Sequence, residues 1–257
     1  LRDRGVHVVG PGSGYLACGD VDTGRMSEPE DIVEAICEVP NPVPQDLAGK
    51  RIVITAGPTH EPIDPVRFIG NRSSGKMGIA LAGKAARRGA EVTLVLGPTS
   101  LDVPRGVACV SVQTAAEMMQ AALSAFQTAD AAICAAAVAD YTPAAPADHK
   151  LKKANERLDR IELVETVDIL AELSRQKGDR LVIGFAAETD NVVKYAERKL
   201  ARKGCDAIIA NDVSRADSGF GTDTNKAWIV STTGTKELPV LTKPQLADTI
   251  LDLLQNL

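Results

Sequence analysis

RIVITAGPTHEPIDPVRFIGNRSSGKMG, residues 51–78, runs from a short β-branched segment through a proline-rich loop into a helix-like segment. The first seven residues read as a strand ending at Gly57, and helical periodicity extends from about Lys76 to Arg88. EVTLVLG (91–97) follows, completing a strand–helix–strand unit. The alternation continues through VACVSV (107–112), AAEMMQAALSAF (115–126), AAICAAAVAD (131–140), LVIGFAAE (181–188), a helix over 191–203 and DAIIAND (206–212). The whole of AAICAAAVAD reads as one strand covered on both faces. Such alternation predicts an α/β fold with a mainly parallel sheet and flanking helices, and with ligand-binding loops along the edge where the strands end. KAWIVSTTGTKELPV (226–240) breaks the pattern and predicts a late β-hairpin insertion, before a closing helix from Pro244 to about Leu254.

The 257 residues are 44% hydrophobic and 25% charged, which excludes disorder, and no apolar run approaches the roughly 20 residues of a bilayer span. No signal-peptide pattern opens the chain, so a cytoplasmic protein is expected. A net charge of −5 argues against nucleic acid as the main partner. The five cysteines and three histidines are scattered, without metal-ligand spacing. Prolines 42 and 44 mark residues 41–49 as a linker between an N-terminal segment, 1–40, and a domain over 50–257.

Two loops carry chemistry. Ser73, Ser74, Gly75 and Lys76 open a helix with small residues that bare backbone N–H groups, the makings of an anion loop; taken alone they also describe a helix cap and turn. Gly70, Gly75 and Lys76 fit G-x-x-x-x-G-K, but Met77 stands where a P-loop needs a hydroxyl for magnesium. The G-x-G-x-x-G turn of a dinucleotide site is absent after Gly57, and Gly97-Pro98 replaces its ribose-binding acid. The second loop, AAVADYTPAAPADHKLKKANERL (136–158), passes from alanines that admit a flat ring, through Asp140, into a Pro/Ala-rich flap tipped by Lys150, Lys152 and Lys153. That flap is either a charge-neutralising lid or a solvated basic loop. Lys199 and Lys203, one helical turn apart, are either phosphate ligands or surface charge.

Together ITAGPT, DPVRFIGNRSSGKMG, AAVADY, HKLKK, GFAAET and AND, in this order and spacing, resemble the phosphopantothenoylcysteine synthetases of bacterial bifunctional enzymes over about residues 50–255. The resemblance implies a Rossmann-like homodimer that uses CTP and Mg2+ to join 4′-phosphopantothenate to L-cysteine through an acyl-cytidylate, releasing CMP and pyrophosphate. It assigns Asn71 to the carboxylate and acyl intermediate as a hydrogen-bond donor, Arg67 to supporting that site, and Lys150 to the α-phosphate. Ala135, Ala136 and Asp140 should line the nucleotide site, Val167, Asp168, Ile169, Leu170 and Phe185 should surround base and ribose, and Lys199 and Lys203 should meet the phosphates. ETVDIL (165–170) departs from the family by lacking a proline just before Asp168. The metal ligands are not indicated. Rival readings on the same kind of sheet are an NAD(P)-dependent oxidoreductase and a nucleotide-binding regulatory module.

GPGSGYLACGDVDTGRMSEPEDIV (10–33) resembles the end of the flavin-dependent decarboxylase half of those bifunctional enzymes. There Cys18 matches the proton donor. The FMN-binding loops and catalytic histidine of that half lie outside this sequence, so Cys18 is expected to be idle and decarboxylation is not expected.

Overall fold

The computed structural model describes residues 6, 8–15, 21–38, 43–152, 159–219 and 221–255, and the chain divides into two compact units, Leu1–Gln45 and Asp46–Leu257. Cys18 and Lys153 lie outside the described residues. The smaller unit pairs β1 (Gly12–Tyr15) antiparallel with β2 (Val21–Arg25), and α1 (Pro29–Glu38) follows.

The larger unit begins inside the stretch read as linker. Leu47 is 2% exposed and packs in the core, while Asp46 accepts hydrogen bonds from Nε and Nη2 of the buried Arg88 at 2.9 and 2.6 Å. Its elements are β3 (Arg51–Ala56), β4 (His60–Pro62), β5 (Phe68–Gly70), α2 (Lys76–Arg87), β6 (Glu91–Leu96), β7 (Val107–Ser111), α3 (Ala115–Phe126), β8 (Ala131–Cys134), β9 (Tyr141–Pro143), β10 (Leu163–Glu165), α4 (Ile169–Arg175), β11 (Leu181–Glu188), α5 (Val192–Lys203), β12 (Ala207–Asp212), β13 (Thr224–Ser231), β14 (Gly234–Thr242) and α6 (Lys243–Leu253). Eight strands form one sheet in the order β14-β13-β12-β11-β8-β3-β6-β7; the hairpin β13–β14 is antiparallel and the other six strands are parallel. The expected α/β fold, late hairpin included, is present.

Strand alternation divides the core into two layers. Ile52, Ile54 and Ala56 of β3 face a cluster with Leu81 and Ala85 of α2 and Leu246 and Ile250 of α6. Val53 faces the other layer, with Met118 and Phe126 of α3, Leu173 of α4 and Leu200 of α5. Covering on both faces is why these strands read as continuous apolar runs. Two glycines permit close approach: a Cβ on Gly78 would lie 2.3 Å from Ala56 Cβ, and one on Gly97 would lie 1.9 Å from the Pro58 carbonyl oxygen. Gly97, conspicuous in the sequence for not being acidic, is thus where the end of β6 packs on the loop after β3.

The reading of AAICAAAVAD as one strand needs correction. β8 stops at Cys134, the last residue paired with β11. Residues 135–140 stay on the other neighbour: Ala135 N donates to Thr55 O at 3.1 Å, Ala137 N to Gly57 O at 2.9 Å and Ala139 N to Thr59 Oγ1 at 2.9 Å. The sheet therefore splits between β8 and β11, and the opening is where the site lies. Trp228 of β13 packs against the core, with Lys226 Nζ 5.0 Å from the ring centroid.

Candidate active site

From β3 the chain builds outward through β6 to β7, then crosses back to place β8 on the other side of β3. In such sheets this reversal leaves a crevice at the carboxyl ends of the two central strands. A cleft of about 800 Å³ opens there, and it brings together Asn71, Ser73, Ser74, Gly75, Lys76, Ala135, Ala136, Asp140, Val167, Asp168, Ile169, Leu170, Phe185, Lys199 and Lys203. Arg67 and Lys150 do not line it.

The first wall is the start of α2. Gly75 sits at the cap position with φ +81°, and no side chain caps the helix. The first-turn N–H groups and the positive end of the helix dipole thus face the cleft without a protein anion, which suits a phosphate or carboxylate. Thr99 Oγ1 fixes the loop by donating to Ser74 O at 2.9 Å. Lys76 donates to Asp223 Oδ1 at 2.7 Å and to Gly221 O at 3.0 Å.

The floor is the alanine track after β8, whose lack of side-chain bulk exposes its backbone to a ligand. Asn71 crosses to it: Nδ2 donates to Ala137 O at 3.2 Å and Val138 O at 2.9 Å. Two carbonyl partners spend both amide hydrogens, so in this arrangement Asn71 has only Oδ1 left for a ligand. The resemblance implied a donor role toward the substrate, whereas here the amide hydrogens are directed to the track. Beneath the track, burial pushes the Cys134 thiol up to about 12 and the Cys205 thiol up to about 11, so neither offers a thiolate near neutrality.

The far wall joins β11 to α4 and α5. Asp168 caps α4, Oδ1 accepting from Ala171 N at 3.0 Å, and its other oxygen accepts from Lys203. Lys199 Nζ donates to Phe185 O at 2.8 Å, and burial lowers its pKa against the opposing pull of Glu188 and Asp140. The two lysines were expected to meet phosphates together; here each is held by a protein oxygen, because α5 lays them against the end of β11 and the α4 cap. Gly184 lets α4 close on the sheet, since a Cβ there would lie 2.5 Å from Leu170 Cδ2.

Arg67 lies apart from these cleft-lining residues. It stands after the β4–β5 tip, where the buried Asp64 accepts at Oδ1 from Val66 N at 2.9 Å and Arg67 N at 2.8 Å. Asp64 Oδ2 accepts from the Arg67 guanidinium and from Leu151 N at 3.1 Å, and Arg67 Nη2 donates to Leu151 O at 3.0 Å. Arg67 and Asp64 therefore clamp the backbone next to Lys150. The flap itself rises from the β9–β10 pair, and Ala147 N donates to Ile63 O at 3.0 Å. Lys150 is exposed.

Thr55, Thr59 and Thr166, which pin the alanine track and its exit, and Asn211, Asn225 and Lys243, which close one end of the cleft, were not foreseen. Single threonines carry no signal in sequence; Asn211 lies in the AND motif without having been singled out, and Asn225 and Lys243 come from segments far from the loops that drew attention. Among the described residues no group of three or more His, Cys, Asp or Glu could hold a metal ion.

Comparison with known proteins gives the architecture a family. Residues 47–257 match the family described as DNA/pantothenate metabolism flavoprotein C-terminal domain. The chain is 48% identical over 254 residues to the coenzyme A biosynthesis bifunctional protein CoaBC of Bacillus subtilis (strain 168), covering 98% of this chain and 62% of that protein. It is 48% identical over 255 residues to CoaBC of Escherichia coli (strain K12), covering 98% and 63%. It thus spans less than two thirds of the length of these curated relatives. The crystal structure of a CoaBC C-terminal domain superposes with a TM-score of 0.69 at 46% identity, covering 81% of this chain and 97% of that one. With its fold matched by that structure and residues 47–257 by the family model, the chain belongs to the family of DNA/pantothenate metabolism flavoprotein C-terminal domains.

Proposed function

We propose that the larger unit is a phosphopantothenate–cysteine ligase of coenzyme A biosynthesis that uses CTP. The observation that carries the reading is the split between β8 and β11, which sets an uncapped helix start, a bare backbone track and a lysine-lined wall around one cleft. A carboxylate does not react with an amine until one of its oxygens becomes a good leaving group. Attack of the phosphopantothenate carboxylate on the α-phosphorus of CTP breaks the bond to the β-phosphate oxygen, expels pyrophosphate and leaves a mixed anhydride. The cysteine nitrogen then attacks the acyl carbon, loses a proton and displaces CMP. No side-chain nucleophile is needed, which suits a cleft whose cysteine is held as the thiol.

The start of α2 would take phosphate oxygens. Lys150 would neutralise charge gathering at the α-phosphorus when the flap closes. Asn71, tethered to the track through Nδ2, would use Oδ1 to accept from the attacking amine. Asp140, Phe185 and the α4–α5 wall would take ribose and base. Mg2+ commonly binds one or two carboxylates together with substrate phosphates, and Asp140, which lines the cleft, would be one such carboxylate. The chemistry of the ion would be charge neutralisation at the phosphates. We propose that residues 10–33 correspond to the end of an FMN-dependent decarboxylase half. No helix among the described residues is long and apolar enough to cross a membrane, which is compatible with the cytoplasmic setting we propose.

CTP is expected to raise the melting temperature and to support pyrophosphate release that requires 4′-phosphopantothenate, with ATP far less effective. A ligand bound only by the folded form must stabilise it, so thermal shift and a pyrophosphate assay read the same preference. Equal turnover with the two nucleotides at low concentration would overturn the CTP assignment, and protection by NAD(P) alone would favour the oxidoreductase. We also propose a homodimer. β14 presents a free edge of the sheet, largely exposed, with Val240 42% exposed. Light scattering at micromolar concentration is expected to give twice the chain mass, and a monomer mass would contradict it.

A further inference from the structure

Lys243 is the first residue of α6 and only 6% exposed, yet its charge is poorly compensated there. It sits in the first turn of a helix, where the dipole disfavours positive charge. Its Nζ donates to Asn225 Oδ1 at 2.7 Å and Gly219 O at 3.3 Å, both neutral, and one of its three hydrogens remains. The charged groups that face it are Lys76, which repels it, and Asp223, which Lys76 already engages. Burial first, then Lys76, brings its pKa down to about 8. A methionine would occupy the place without the cost of a desolvated charge.

The surroundings are built to donate. Lys243, Asn225, Asn211 and Lys76 all line the same end of the cleft, beside the uncapped start of α2. Asn225 Oδ1 accepts from Lys243, and Asn211 Oδ1 accepts from Ser218 Oγ at 3.0 Å, which leaves both amide N–H groups as donors. Asn211, Asn225 and Ser218 are themselves 8%, 4% and 3% exposed, so this is a fixed polar wall rather than a cluster of surface side chains. The one carboxylate present, Asp223, is largely exposed and turned to Lys76.

We propose that Lys243, with Asn225, Asn211 and Lys76, forms a phosphate subsite that takes the terminal phosphates of the nucleotide, and hence the pyrophosphate leaving group. The assignment of the occupant rests on the ligase reading above; the anion site itself does not. An oligophosphate entering this end supplies the missing negative charge for Lys243, accepts its remaining hydrogen and meets the first-turn N–H groups of α2. The positive charge also favours departure of pyrophosphate, since negative charge grows on the leaving oxygen.

Two substitutions weaken binding without a loss of stability. Lys243→Met removes the cation and should melt no lower than the parent. Asn225→Asp keeps an acceptor for Lys243 and adds a carboxylate, which should raise the melting temperature and repel an anion. In calorimetric titrations each variant is expected to bind sodium pyrophosphate and CTP about 10-fold or more weakly, with CMP within about 2-fold of the parent. If 4′-phosphopantothenate weakens and pyrophosphate does not, the phosphate subsite stands with the phosphomonoester as its occupant. If both variants fold and bind all four ligands like the parent, the inference is overturned. A parent that binds pyrophosphate through Lys243 yet never releases it from CTP with both co-substrates present would remove the ligase reading and leave the anion site. Normal CTP turnover and unaltered titrations in Asn225→Asp would do the reverse.

Discussion

Asn71→Asp is expected to slow amide formation by about 100-fold or more while sparing formation of the acyl-cytidylate. The asparagine amide donates to the carbonyls of Ala137 and Val138. A carboxylate cannot donate, and at the same place it would point an anionic oxygen at two carbonyl oxygens. The side chain must swing away, and the acceptor it held for the incoming amine goes with it. Lys150→Gln should act earlier, because its charge is needed while the pentavalent phosphorus forms. A single-turnover reaction with labelled CTP, quenched with and without cysteine, separates the two steps. Intermediate should accumulate in the Asn71 variant and be scarce in the Lys150 variant. Normal amide formation in both would refute the roles assigned to these residues while leaving the fold untouched.

The order of elements was readable because the central strands are covered on both faces and the helices that flank them bury one. Residues 52–54 carry no polar interruption since Ile52 and Ile54 fill one layer and Val53 the other. What periodicity could not give was where pairing ends. AAICAAAVAD is apolar throughout, yet its second half leaves β11 and holds only to the β3 side. The difference lies in partners supplied by Thr55, Gly57 and Thr59 some 80 residues earlier. The short pairs β4–β5 and β9–β10 escaped notice for a related reason, as strands of three residues carry too little alternation to distinguish from loop.

Most of the cleft was legible from the motifs, whereas the partners of its charged residues were not. Lys199 and Lys203 were placed on one helix face by their spacing, but only the fold reveals that the Phe185 carbonyl and the Asp168 carboxylate hold them. Lys243 gave no signal because a lysine beside Pro244 at a helix start reads as ordinary solvated surface. Its significance depends on burial, and burial depends on the loop from β12 to β13 folding over it.

Asp64→Asn is expected to release the flap without touching the cleft. Asp64 Oδ2 accepts at once from the Arg67 guanidinium and from Leu151 N, so an amide nitrogen at that position would set donor against donor. Arg67 would keep only the Leu151 carbonyl, and the backbone beside Lys150 would lose its anchor. The Arg67 side chain, helped by the N–H groups of Val66, Arg67 and Leu151, holds the Asp64 carboxyl well below the usual carboxylate range. Its contribution is therefore complete above the unfolded carboxylate pKa of about 4 and is lost only as pH falls through the lowered value, so the clamp should not vary between about pH 5 and 9. The variant should melt about 5 °C or more below the parent. Because the clamp positions Lys150 and builds none of the nucleotide wall, kcat should fall about 10-fold or more while CTP affinity stays within about 2-fold. Hydrogen exchange supplies the readout that a general loss of stability would not imitate: the Leu151 amide should lose protection well before those of β3 and β11. If Leu151 stays protected and kcat is unchanged, the clamp holds only the β4–β5 tip, and Lys150 is positioned by the flap alone.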